Sequence, residues 1–120
     1  MKAIKYLFVL SLFMLCMAHH TCAQSTHKNH NILVLSPSLQ NQMDSLVNIG
    51  NSYYMLGQLR ISIEYYNKAL VLNPNCAKAF FNRGNSFFDL GETKPACDDW
   101  LKAALLGQEE AEDMIIKNCK

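Results

Sequence analysis

The chain repeats itself. Residues 43–76 align with residues 77–110 at a shift of 34 without a gap. Asn48/Asn82, Gly50/Gly84, Asn51/Asn85, Ser52/Ser86, Leu56/Leu90, Gly57/Gly91, Lys68/Lys102, Ala69/Ala103 and Leu72/Leu106 are identical. Tyr53/Phe87, Tyr54/Phe88 and Tyr66/Trp100 are conservative exchanges. A period of this length is one supersecondary unit, which buries its apolar face only by stacking on its neighbour. The chain has 120 residues, enough for one domain.

Each copy reads as two helices. Ser36-Pro37-Ser38 opens the first, because serine caps free N–H groups and proline suits the first helical position. Leu39, Met43, Leu46, Gly50 and Tyr53 follow at spacings of three and four, which predicts one buried stripe. Gly57 closes this helix in the left-handed conformation. A second helix over 59–72 carries Ile63, Tyr66 and Leu70 on one face and stops at Asn73-Pro74-Asn75. Gly50 and Gly84 lack a Cβ and allow close helix approach, Tyr66 and Trp100 fill space between hairpins, and Ala69 and Ala103 keep the next contact short. After Gly107, acidic residues lead and Lys117 trails, as a helix dipole favours, with Ala111, Met114 and Ile115 on one face.

These residues and the 34-residue period resemble the tetratricopeptide repeat (TPR) family. Its pattern falls on Leu46, Ile49, Gly50, Tyr53, Ser62, Tyr66, Ala69 and Pro74, then on Phe80, Arg83, Gly84, Phe87, Ala96, Trp100 and Ala103. Ser62, Arg83 and Gln108 depart from it, and Gln108 in place of proline marks the end of the array. The resemblance implies an all-α α-solenoid: two TPR hairpins over 37–107 and a capping helix over 108–120 covering the last edge. Ala96-Cys97-x-Asp99-Trp100 with a terminal cysteine is also similar to the end of small exported bacterial TPR proteins.

The start of the chain has a different character. Lys2 and Lys5 precede the apolar run 6–18, and Thr21-Cys22-Ala23 follows. This predicts a signal peptide over 1–23, cut after Ala23 or, second, after Ala18. The run is short for a membrane anchor, which needs roughly 20 residues. Neither Cys16 nor Cys22 follows the small residues of a lipoprotein signal. Residues 24–36 predict a flexible mature N-terminus, whose Ile32-Leu33-Val34-Leu35 run can staple the first helix. The protein is then periplasmic or extracellular. Cleavage takes the 11 basic residues to 9 against 10 acidic, leaving no basic patch for nucleic acid.

Of five cysteines, Cys76, Cys97 and Cys119 survive cleavage. An oxidising compartment allows one pair and one remainder. Cys97 lies ten residues before Gly107 and Cys119 twelve after it. On antiparallel helices both sit roughly 15–18 Å from the turn. A disulfide there staples the cap; the alternative is two packed free thiols. Cys76 reads as a small core residue or an intermolecular partner.

All four histidines, His19, His20, His27 and His30, precede the helices. The Asp98-Asp99 and Glu109-Glu110 pairs point about 100° apart on a helix and read as solvated faces or dipole partners. No nucleotide, zinc or nucleophile motif is present. An enzyme, a metal, a cofactor and a small-molecule substrate are therefore not expected. The TPR resemblance instead implies a groove lined by the first helix of each hairpin: Asn48, Asn51, Tyr54, Lys78, Phe81, Asn82, Asn85 and Phe88. Amides can bond an extended protein or peptide partner, and aromatics supply apolar contact. Family members that clamp a C-terminal carboxylate use Lys and Asn at set places. Asn51, Asn82 and Lys78 match some, whereas Val47 and Phe81 stand where lysines are expected. Alternatives are a homodimer through the first hairpin and a structural or assembly subunit of an envelope complex.

Overall fold

The computed structural model describes residues 35–120. The expected signal peptide over 1–23, its expected cleavage sites, most of the 24–36 segment expected to be flexible and the four histidines lie outside the described residues. Five helices follow in order: α1 Pro37–Met55, α2 Leu59–Leu72, α3 Ala77–Asp89, α4 Thr93–Leu105 and α5 Glu110–Asn118. α1 and α2 form one antiparallel hairpin, α3 and α4 a second, and α5 lies on α4. There is no strand among the described residues.

The helix ends follow from local chemistry. The Ser36 hydroxyl accepts from the Leu39 amide at 3.4 Å, and Pro37 is the first helical residue. Gly57, Gly91 and Gly107 have φ of 72°, 79° and 93°. At each, two backbone bonds fold back on the preceding helix. Gly57 N–H reaches Tyr54 O and Gln58 N–H reaches Tyr53 O, both at 2.9 Å. The same pair recurs around Gly91 and Gly107. This is the Schellman closure, whose left-handed residue a side chain would strain.

The core has two clusters. Met43, Val47, Tyr66, Ala69, Cys76 and Ala79 form the first, and Ala96, Trp100, Ala103 and Ala111 the second. The buried stripe of α1 is Met43, Val47 and Gly50, while Leu39, Leu46 and Tyr53 are half-buried. Spacings of three and four admit two adjacent stripes, and the aromatic ring of Tyr66 selects the one centred on Val47. A Cβ on Gly50 would stand 2.6 Å from the Tyr66 ring, and one on Gly84 2.8 Å from Trp100. Both glycines are thus needed for the rings to lie flat on the facing helix.

Two departures from the repeat pattern now have causes. The Ser62 hydroxyl bonds Leu59 O and the Ser86 hydroxyl, each at 2.8 Å, and both serines are fully buried. Arg83 forks onto Asp99, with Nε and NH2 each 2.7 Å from a carboxylate oxygen. Its NH1 donates to Asn67 of α2 at 2.6 Å, so one side chain joins both hairpins. The expectation that Asp98 and Asp99 are both solvated therefore fails for Asp99, which is 3% exposed. Asp98 is exposed and pairs with Lys94.

Cys97 and Cys119 form a disulfide with Cα atoms 5.8 Å apart. α5 has only nine residues and one fully buried side chain, Ala111. Helices this short are marginal alone. Converting both cysteines to serine is expected to cost about 3 kcal/mol in the chain-entropy picture. Urea midpoints of the two forms, with protection of α5 amides from exchange, check this. Cys76 is a buried free thiol, and burial pushes its pKa up.

Candidate functional site

α1 and α3 are the first helices of their hairpins and touch directly. Asn51 ties them together. Its Oδ1 accepts from the Tyr66 hydroxyl and from Asn82 Nδ2, both at 2.8 Å. One repeat later, Asn85 Oδ1 accepts from Trp100 Nε1 at 2.9 Å. A buried ring with a polar tip needs such a partner. Asn51, Asn82 and Asn85 thus serve the fold. The Nδ2 groups of Asn51 and Asn85 have no bond among the described residues, and no buried polar atom there lacks a partner. These two NH2 groups therefore reach solvent and remain available as donors.

Asn48 and Lys78 are exposed. Asn48 lies three residues before Asn51 and Lys78 four before Asn82, so each extends the same helix face by a turn. Phe81 and Phe88 are half-buried and turn partly into the second core, with Phe88 5.4 Å from Trp100 between ring centroids. Val47, where a clamp would have lysine, is a core residue at 2% exposure. The Tyr54 hydroxyl donates to Asp89 Oδ2 at 2.6 Å and links α1 to the end of α3. Asp89 was not signalled by the repeat, since its counterpart is Met55. Its position four residues after Asn85 on the same face was the available clue.

Residues 50–91 match the sequence model of a family described as TPR repeat. The described helices have the TPR fold. Among solved structures, a match is the second TPR of Spaghetti (RPAP3) bound to an HSP90 peptide, SRMEEVD. It has 22% identity and a TM-score of 0.56, covering 68% of this chain and 86% of that one. No curated protein matches in sequence. In the TPR frame, the face of α1 and α3 holding Asn48, Asn51, Asn82 and Asn85 is an amide-rich surface with one lysine. Among the described residues no three His, Cys, Asp or Glu side chains gather for a metal.

Two tyrosines give this face a pH signature. The bond to Asp89, with burial behind it, raises Tyr54 to about 12, and burial raises Tyr66 to about 12. A folded value above the unfolded 10.0 means the phenol form is favoured by folding. That stabilisation is complete below about pH 10 and is lost as pH rises toward about 12. Denaturation midpoints should fall across this window, and a Tyr54→Phe/Tyr66→Phe variant should fall less.

Proposed function

We propose that this TPR module is exported and holds an extended protein or peptide segment along α1 and α3. The observation that carries the proposal is the repeated asparagine. Asn51 and Asn85 spend their oxygens on the fold and leave their NH2 groups facing solvent, one hairpin apart. Such donors suit the carbonyl groups of an extended backbone. Lys78 and Asn48 add exposed polar groups, and Phe81 and Phe88 add partial apolar surface. The peptide bound to the structurally similar TPR supports a polypeptide ligand of this kind. With Val47 and Phe81 at the other lysine places, a two-carboxylate clamp is incomplete, and backbone contact takes its place. The described residues contain no histidine, which supports binding over catalysis.

Export is supported by the apolar run after Lys2 and Lys5 and by the Cys97–Cys119 bond, which persists in oxidising compartments. Intact-mass spectrometry of protein from the expressing cells checks it. A chain starting at Gln24 with two thiols oxidised agrees; a chain keeping residues 1–23 with all five thiols free contradicts it.

For the groove, peptides selected from a random display library should bind wild type and lose at least about tenfold in affinity to Asn48→Ala/Lys78→Ala. Both residues are exposed, so the fold is spared. Asn85 is avoided because it holds Trp100. Unchanged affinity would sink the groove assignment.

A further inference from the structure

α2 shows solvent a stripe that is its own complement. Ile61, Glu64, Tyr65, Lys68 and Val71 follow at spacings that place them within roughly 120° of one helix face. Ile61 is 38% and Val71 80% exposed, Glu64 and Lys68 are exposed, and Tyr65 is half-buried. Neither Glu64 nor Lys68 has an ionic partner among the described residues. Lys68 Nζ stands 4.5 Å over the Tyr65 ring, and Tyr65 stacks on Tyr53 of α1 at 5.3 Å. The apolar surface thus continues onto the neighbouring helix.

The second hairpin repeats only part of this stripe: Lys102 and Leu105 stand for Lys68 and Val71, with Leu105 79% and Leu101 52% exposed. Its counterparts of Ile61, Glu64 and Tyr65 are Pro95, Asp98 and Asp99, and Asp99 is held by Arg83. Arg83 in turn corresponds to Ile49. Where the second hairpin carries a charged pair facing α2, the first carries isoleucine and tyrosine facing outward. An end hairpin standing in water alone needs a polar outer face.

We infer that this face is an interface between two copies of the chain, with α2 packed antiparallel on its twin about a two-fold axis level with residue 66. The order of residues supplies the argument. Such an axis brings Glu64 opposite Lys68 of the twin and Ile61 opposite Val71 of the twin, each pair occurring twice. Acid meets base and apolar meets apolar in these pairs, and Tyr65, one residue from the axis, falls beside the twin's Tyr65, as an isologous interface allows. The stripe is roughly 15 Å long. Its area falls at the small end of specific interfaces, so the dimer forms and dissociates with concentration. The surface lies on α2, away from the groove on α1 and α3, and stands whether or not the groove binds peptide.

Sedimentation velocity of the full chain from about 1 µM to about 1 mM reads the equilibrium directly. Wild type is expected to move from monomer to dimer within this range. Glu64→Lys alone places Lys against Lys twice, and Lys68→Glu alone places Glu against Glu twice. Each variant should shift the midpoint upward by about tenfold or more. Mixing the two single variants should restore association, because every pair is again acid against base. Both side chains changed are exposed, so folding is spared. A wild type that stays monomeric throughout overturns the inference. So do single variants that associate as wild type does, which would place any dimer on another surface.

Discussion

Replacing Trp100 with alanine is expected to remove about 3–5 kcal/mol of stability. Trp100 is fully buried at the centre of the second core, with the backbone of Gly84 flat against its ring. Its removal leaves a cavity between α3 and α4 that the glycine cannot fill. Asn85 Oδ1 also loses its donor. A folded unit of this size has only about 4–13 kcal/mol in total, at roughly 0.05–0.15 kcal/mol per residue. The variant is therefore expected to unfold near physiological temperature. Trp100 is the only tryptophan, so helicity by circular dichroism, rather than fluorescence, must follow the urea transition. Trp100→Phe separates the two causes, because it keeps most of the volume and loses the bond. It should cost well under half as much. Equal losses for both variants would show that the hydrogen bond, not the packing, dominates.

The second large effect is expected at Arg83 and Asp99. Their side chains are 19% and 5% exposed, and the contact is bidentate. Removing one partner strands a charge in a poorly solvated place, at a cost of about 3–5 kcal/mol. Arg83→Ala should be the worse of the two, since it also releases Asn67 and uncouples the hairpins. The guanidinium further lies 5.5 and 5.9 Å from the Phe80 and Phe87 ring centroids. Replacing both residues with leucine should recover much of the loss, because no charge is then left unpaired. A double variant as unstable as Arg83→Ala would mean that the fork and its rings, rather than burial of an orphan charge, set the effect.

How much of this was legible follows from which residues act locally. The turns were legible at Gly57, Gly91 and Gly107, because a left-handed closure needs glycine whatever surrounds it. The stapled cap was legible from counting residues either side of Gly107, and the bond between Cys97 and Cys119 agrees with that geometry. Arg83 and Asp99 were not, since each looks like an exception when judged on its own helix. The clue was that both positions change together: Ile49 with Tyr65 in one hairpin, Arg83 with Asp99 in the other. The dual use of Asn51 and Asn85 was half legible. Tyr66 and Trp100 both carry a polar hydrogen at the ring tip, and a buried one has to find an acceptor. Which asparagine supplies it depends on the crossing of two helices, which periodicity does not contain.

The central claim is that a polypeptide lies along α1 and α3. An amide chemical-shift map of the labelled protein, titrated with a library-selected peptide, tests it most directly. The predicted result is a continuous set of shifts over residues 48–54 and 78–89, with the side-chain NH2 signals of Asn51 and Asn85 moving among the most. Shifts confined to α2, α4 or α5, with those two amide signals unmoved, would contradict it.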